Sequence, residues 1–252
     1  MSTSAKVTAR QRIENLLDDN SFVEIGAYVK ARNTDFNIQA KDTPSDGVIT
    51  GYGVLNGGLV YVYSQDASVL GGSVGEMHAK KIASLYDMAM KTGSPVIGLI
   101  DSTGLRLQES VDGLNAFGQI YMKQSLASGV IPTITAIFGN CGGGLSIVAG
   151  LSDFTFMEVE NAQLFVNSPN AITENRKEIC DNASAKFQSE EAGNVDFVGT
   201  EAEVIEGIRN LVSVLPSNNE DEASDLECYD DLNRAATGFD SGLEDTKLAL
   251  TA

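Results

Sequence analysis

Two stretches of this chain bring a strand-like run, a cluster of glycines and a helix-like continuation together. They are Ser64-Gln65-Asp66-Ala67-Ser68-Val69-Leu70-Gly71-Gly72-Ser73-Val74-Gly75-Glu76 and Ala136-Ile137-Phe138-Gly139-Asn140-Cys141-Gly142-Gly143-Gly144-Leu145-Ser146. Glycine lets a ligand approach the main chain closely, and the start of a helix leaves amide N–H groups without intrahelical partners. Two such junctions, each aiming an amide at one carbonyl oxygen, would form an oxyanion hole. There a preorganised donor lowers the barrier by roughly 3 to 4 kcal/mol. Either run taken alone reads equally well as a tight turn.

Chemistry through side chains is thinly provided. The single histidine, His78, shares a helix-like segment with Glu76, Lys80 and Lys81, and Cys141 is not paired to it in any readable motif. A nucleophile–histidine machine therefore has little support, and no His, Cys and carboxylate cluster has metal-ligand spacing, so no metal is expected. The loop Asp101-Ser102-Thr103-Gly104-Leu105-Arg106-Leu107-Gln108-Glu109 follows an apolar strand, where α/β proteins place ligands. A second reading has Asp101 or Ser102 capping the turn, with Arg106 and Glu109 forming a surface bridge. No phosphate-cradling loop with a following Gly-Lys-Ser/Thr occurs, so nucleotide hydrolysis has no support. What remains is chemistry done by backbone amides, and the demand that fits is an enolate derived from a thioester.

The elements that would position these groups alternate. A capped helix at Thr8 to Asp18 and a strand at Phe22 to Val29 precede a polar stretch from Arg32 to Asp46. Paired strands at Gly47 to Leu55 and Leu59 to Gln65 follow, joined by Asn56-Gly57-Gly58, a strong hairpin signal. Then come helix Val74 to Lys91, strand Pro95 to Ile100, helix Leu114 to Ala127, strand Ile131 to Phe138, helix Gly143 to Gly150 and strand Phe154 to Met157. Strand Leu164 to Asn167, a helical stretch near Ala183 to Ala192, strand Val195 to Val198 and helix Thr200 to Leu215 complete the pattern. Such alternation predicts parallel pairing and an α/β fold.

Composition bounds the reading. The 252 residues, 42% hydrophobic, suit one substantial core, and three cysteines without a CxxC pair argue for a reducing, cytoplasmic setting. The N-terminus lacks the apolar core of a signal peptide. The uncharged stretch between Lys123 and Asp153 is interrupted by Pro132, Asn140 and glycines, so a membrane span is not expected. A net charge of -18 argues against nucleic acid as a partner. Part of that acidity lies in Glu220, Asp221, Glu222, Asp225, Glu227, Asp230 and Asp231, which read as a solvated tail or connector.

An ordered series of motifs then resembles the N-terminal half of the biotin-dependent acyl-CoA carboxyltransferases. It includes Thr8-Ala9-Arg10-Gln11-Arg12-Ile13, Asp46-Gly47-Val48-Ile49-Thr50-Gly51-Tyr52-Gly53, Tyr61-Val62-Tyr63-Ser64-Gln65-Asp66 and Leu70-Gly71-Gly72-Ser73-Val74-Gly75-Glu76-Met77-His78-Ala79-Lys80-Lys81-Ile82. It continues with Ala127-Ser128-Gly129-Val130-Ile131-Pro132, the Cys141 to Gly144 loop, Asp153-Phe154-Thr155-Phe156-Met157 and Leu215-Pro216-Ser217-Asn218-Asn219.

The resemblance implies a crotonase-like α/β fold, a repeated ββα superhelix, over residues 1–219, with 220–252 as an acidic connector. It implies that Gly71, Gly72, Gly143 and Gly144 are catalytic through their amides. Gly71, Gly72, Ser73, Cys141, Gly142, Gly143, Gly144 and Arg106 would contact the acyl-CoA, and Lys80, Lys81, Arg106 or Lys123 would offset acidity near its phosphates. Biotin, carried on a biotin carboxyl carrier protein, would be the cofactor. A separate C-terminal carboxyltransferase half would complete a homo- or hetero-oligomer.

Some positions depart from the family pattern. Thr103-Gly104-Leu105-Arg106 stands where Gly-Gly-Ala-Arg is common, Gly142 replaces a usual alanine, and Thr173-Glu174-Asn175 stands where Thr-Gly-Glu is usual. Alternatives are a malonate-decarboxylase-type subunit, a non-catalytic scaffolding subunit, and a hydratase or isomerase using Glu109.

Overall fold

The computed structural model describes residues 7–33, 42–168 and 181–216, together with 229, 231 and 233. Part of the expected polar stretch (34–41), residues 173–175, Cys180, Cys228 and most of the expected connector from 220 onward lie outside the described residues.

Helix α1 (Ala9–Leu16) begins on a capping box in which Thr8 and Gln11 satisfy each other's backbone amides. Strands β1 (Val23–Ile25), β2 (Val48–Leu55) and β3 (Gly58–Gln65) pair antiparallel. The β2–β3 turn uses Asn56 and Gly57 at φ 50° and 84°, the left-handed pair that matches strand twist. The expected strand from Phe22 to Val29 stops at Ile25, because Gly26 turns left-handed (φ 72°) and its carbonyl accepts the Val29 amide.

Beyond β3 the chain alternates: α2 (Glu76–Thr92), β4 (Val96–Ser102), α3 (Ser110–Ala127), β5 (Thr133–Gly142), α4 (Gly144–Gly150) and β6 (Phe154–Glu158). It closes with β7 (Gln163–Phe165), α5 (Ala185–Glu190), β8 (Phe197–Gly199) and α6 (Glu201–Val214). The sheet runs β1-β2-β3-β4-β5-β6-β8, parallel from β3 onward. Short β7 pairs with the last residues of β5, past the point where β6 lets go.

Strand alternation sorts the core into two layers. Tyr61, Tyr63, Val96, Ile100, Ile137 and Cys141 face α2, α3 and α4, which contribute Ile82, Tyr86, Phe117, Ile120, Leu145 and Val148. Val60, Val62, Ile97, Leu99, Ile134, Ala136 and Phe138 face α1 and α6, meeting Ile13, Leu16, Val204 and Ile208. The strands are thus covered on both sides, which is the requirement of a parallel sheet.

The expected loop at 139–144 is largely strand. Gly139, Asn140, Cys141 and Gly142 extend β5, and only Gly143 (φ 60°, ψ -125°) turns the chain. The other glycines serve close approach. A β-carbon at Gly139 would enter the Asp101 carboxylate, and one at Gly142 would lie 2.5 Å from the Phe165 ring.

Candidate functional site

Strands β3, β4 and β5 are adjacent and parallel, so their carboxyl ends release three loops side by side. The loops touch in series. The Thr103 amide donates to the Gly71 carbonyl at 2.9 Å, and the Ser102 hydroxyl donates to the Gly72 carbonyl at 2.6 Å. A β-carbon on Gly104 would in turn sit 3.2 Å from the Gly142 carbonyl oxygen. The two glycine junctions therefore border one rim of the sheet, bridged by residues 102–104.

The four glycines expected to act through their amides divide into two kinds. Gly72 donates to the Val69 carbonyl at 2.9 Å and Gly143 to the Phe165 carbonyl at 3.0 Å, so both amides are spent on the fold. Gly71 and Gly144 have no hydrogen-bond acceptor for their amides among the described residues. Gly144 opens α4, where first-turn amides lack intrahelical partners, and its own carbonyl accepts the Tyr121 hydroxyl at 2.7 Å. Of the four glycines expected to act as donors, Gly72 and Gly143 have their amides engaged within the fold, and Gly71 and Gly144 keep amides without an acceptor among the described residues.

The turn carrying Gly71 is unusual. Leu70, Gly71 and Gly72 are all left-handed, at φ 50°, 66° and 65°. A second triple of the same kind, Ser45, Asp46 and Gly47 at φ 53°, 49° and 70°, lies against it, and a β-carbon on Gly47 would come within 2.9 Å of the Val69 carbonyl. Non-glycine residues held there cost about 1–3 kcal/mol each and persist only where the surroundings over-determine them.

What surrounds them is a buried ion cluster. Arg106, 1% exposed, places Nη1 at 2.6 Å from Asp46 Oδ1 and 2.9 Å from Glu109 Oε1, both carboxylates being fully buried. Its Nη2 donates to the Ser73 carbonyl at 2.6 Å and its Nε to the Ser73 hydroxyl at 3.2 Å. The carboxylates also cap α2: the Glu76 amide donates to Glu109 Oε2 and the His78 amide to Asp46 Oδ2, at 2.6 and 2.8 Å. Negative groups belong at that end of a helix dipole. Burial raises the Asp46 pKa despite the opposing pull of Arg106.

Two expectations for Arg106 are corrected by this geometry. The surface bridge with Glu109 is a buried pair shared with Asp46. Contact with acyl-CoA or its phosphates is also corrected, since the guanidinium is enclosed and occupied by protein acceptors. Lys81 is likewise turned inward, donating to the Ser45 carbonyl at 2.9 Å and to the Val48 carbonyl, with its pKa lowered by burial to about 8. Lys80 is exposed and paired with Glu76, and Lys123 reaches Asp87 at 2.6 Å.

His78 is structural. Burial lowers its pKa to about 3, leaving a neutral ring whose Nδ1 donates to the Asp46 carbonyl and whose Nε2 accepts from the Gln65 amide. Cys141 faces the core, and burial raises its thiol to about 12. Ser73 presents its hydroxyl and carbonyl to Arg106. The sequence reading missed Asp46, Tyr121 and Phe165; their partners are distant in the chain, and no local spacing announces them. Among the described residues, no group of three or more His, Cys, Asp or Glu side chains could hold a metal ion. No described helix is long and apolar enough to cross a membrane.

A cleft of about 470 Å³ opens beside α4, walled by Ser146, Ile147, Gly150, Phe165, Val166 and Asn194. Phe165 thus joins this cleft to the Gly143–Gly144 junction through its carbonyl.

The sequence profile described as the carboxyl transferase domain matches residues 2–242. The methylmalonyl-CoA decarboxylase subunit alpha of Propionigenium modestum is 44% identical over 234 residues, 91% of this chain and 45% of that protein. The propionyl-CoA carboxylase beta chain of Roseobacter denitrificans is 39% identical over 244 residues, 95% of this chain and 48% of that protein. The chain spans about half the length of the curated relatives it matches. Among solved structures, transcarboxylase 12S with hydrolysed methylmalonyl-coenzyme A bound has TM-score 0.81 and 38% identity, covering 86% of this chain and 43% of its own. A Pseudomonas malonate decarboxylase hetero-tetramer in complex with malonate has TM-score 0.71 and 26% identity, covering 82% of this chain and 80% of its own. The architecture is the crotonase-like α/β fold of these carboxyltransferases.

Proposed function

Because the chain belongs to the carboxyl transferase domain family, we propose that it forms the acyl-CoA side of a carboxyl-transfer site in which main-chain amides hold a thioester enolate. The observation that carries this reading is the pair of unspent amides, Gly71 after β3 and Gly144 after β5, on the two strands that flank β4. Removing the α-proton of a thioester moves negative charge onto its carbonyl oxygen. Donors fixed in advance stabilise that charge without reorganising. Glycine at 143 keeps a side chain out of open space that the thioester could use, whereas at 71, 72 and 144 a β-carbon would meet Thr103, the Asp101 carbonyl and the Tyr121 hydroxyl.

Among the described residues, neither the histidine nor the cysteine near the rim is poised as a general base. His78 is buried and neutral, and the Cys141 thiol is held protonated. That fits chemistry in which biotin, borne by a separate carrier protein, supplies carboxyl donor and acceptor capacity and the protein supplies orientation and dipoles. A second carboxyltransferase half, from another chain or from further sequence, completes the site in an oligomer. Propionyl-CoA and methylmalonyl-CoA are the first substrates to test, as the names of the relatives support.

The experiment is co-expression with neighbouring reading frames, capture of the assembly and assay of carboxyl transfer with acetyl-, propionyl- and methylmalonyl-CoA. Transfer or decarboxylation dependent on a biotinylated protein is the expected result; an assembly inert toward every acyl-CoA refutes the reading. A malonate-decarboxylase-type subunit is the second reading, supported by the similar length of that structural neighbour. Activity on a malonyl thioester of a carrier protein, without biotin, would select it.

A further inference from the structure

We propose that Arg106 is a positioning residue: it grips Ser73 while Asp46 and Glu109 grip it, and so fixes the left-handed turn at 70–72 and the direction of the Gly71 amide. The proposal rests on the enolate-holding reading above and assigns to that site a support reaching it from behind.

The turn is held from two sides. From β4, Ser102 and Thr103 bind the carbonyls of Gly72 and Gly71. From the opposite end, only Arg106 among the described side chains reaches the Ser73 carbonyl. The strand-like bridge between Val74 and Leu105 continues that grip: the Val74 amide donates to the Gly104 carbonyl at 2.8 Å and the Arg106 amide to the Val74 carbonyl at 2.9 Å.

Arginine suits the task because three nitrogens address separate acceptors: Nε the Ser73 hydroxyl, Nη2 the Ser73 carbonyl, and Nη1 both carboxylates. Lysine has one nitrogen and cannot span them. Asp46 is itself delivered by the left-handed turn at 45–47, whose backbone is clamped by Lys81 on the Ser45 and Val48 carbonyls and by His78 on the Asp46 carbonyl. The two strained triples are therefore coupled through one guanidinium. If the cluster served only to balance buried charge, removing a carboxylate along with the arginine would restore everything.

The test uses the captured assembly with two variants, Arg106→Lys and the double variant Asp46→Asn with Arg106→Met, which preserves the net charge of the cluster. Melting temperature, direct binding of acyl-CoA, kcat and backbone hydrogen exchange at Gly72, Ser73 and Val74 are measured. The expected result is acyl-CoA affinity within about threefold of wild type, kcat lowered at least about tenfold, and faster exchange confined to 72–74. Arg106→Lys keeps the charge and serves if the double variant does not fold.

Unchanged exchange at 72–74 in a folded variant overturns the proposal, as does kcat restored along with stability in the double variant. A wild-type assembly inert toward acyl-CoA counts against the functional reading alone, because the exchange measurement needs no substrate.

Discussion

Gly143→Ala separates aiming from folding. Gly143 sits at φ 60° and ψ -125°, a conformation that L side chains rarely adopt, yet a β-carbon there meets nothing within 4 Å. Steric collision is absent, so the stability cost is backbone strain alone, about 1–3 kcal/mol. At about 2–4 °C per kcal/mol for a domain of this size, the melting temperature falls by about 2–12 °C. The site suffers differently. The angle ψ of residue 143 sets the plane of the peptide that carries the Gly144 N–H, so relaxing the strain turns that donor away. Loss of one oxyanion donor costs about 10²–10³ in kcat. Gly57→Ala is the matched control, because Gly57 is also left-handed (φ 84°) with open space, and it lies in the β2–β3 hairpin. Carboxyl-transfer assays on both variants, with melting curves, should give similar stability losses and a kcat deficit in Gly143→Ala only. Equal kcat in Gly143→Ala and wild type would refute the assignment of Gly144 as a donor.

Further outcomes follow from buried groups. The folded pKa of His78, about 3, lies below its ordinary 6.5, so between these values the unfolded chain binds a proton that the fold refuses, and stability falls as pH drops. Denaturant titrations should show that His78→Gln flattens the slope between pH 6.5 and about 5; an unchanged slope contradicts the buried neutral ring. Arg12→Met removes a guanidinium that bonds Asp101 and Glu201 and lies 4.7 Å over the Phe138 ring. With these charge-assisted hydrogen bonds lost, urea unfolding should register a loss of about 1.5–3 kcal/mol, and a loss below about 0.5 kcal/mol contradicts the buried-pair reading. The Cys141 thiol, pushed to about 12, should resist iodoacetamide in the folded chain at pH 8 and react after denaturation. Mass spectrometry of its peptide decides.

Most elements were legible because the apolar pattern changes period where the structure changes type. The Thr8–Gln11 and Asn56–Gly57 signals fell at their turns, and the alternation after Gln65 gave the parallel pairing. The glycine run after Phe138 misled for a physical reason. Gly139 and Gly142 look like turn residues but sit in β5, where they admit the Asp101 carboxylate and the Phe165 ring. Sequence spacing also showed the Arg106–Glu109 pair, three residues apart, but not its burial, because Asp46 and Ser73 arrive from other loops. Which amides remain unspent was equally invisible, since that depends on carbonyls of Val69 and Phe165 placed by the finished fold.

The bond from the Gly143 amide to the Phe165 carbonyl sets an order of events during synthesis. A nascent chain that has emerged only through α4 already presents both glycine junctions, yet the carbonyl that anchors the second of them has not left the ribosome. The geometry of that junction therefore waits for β7 to dock beside the end of β5.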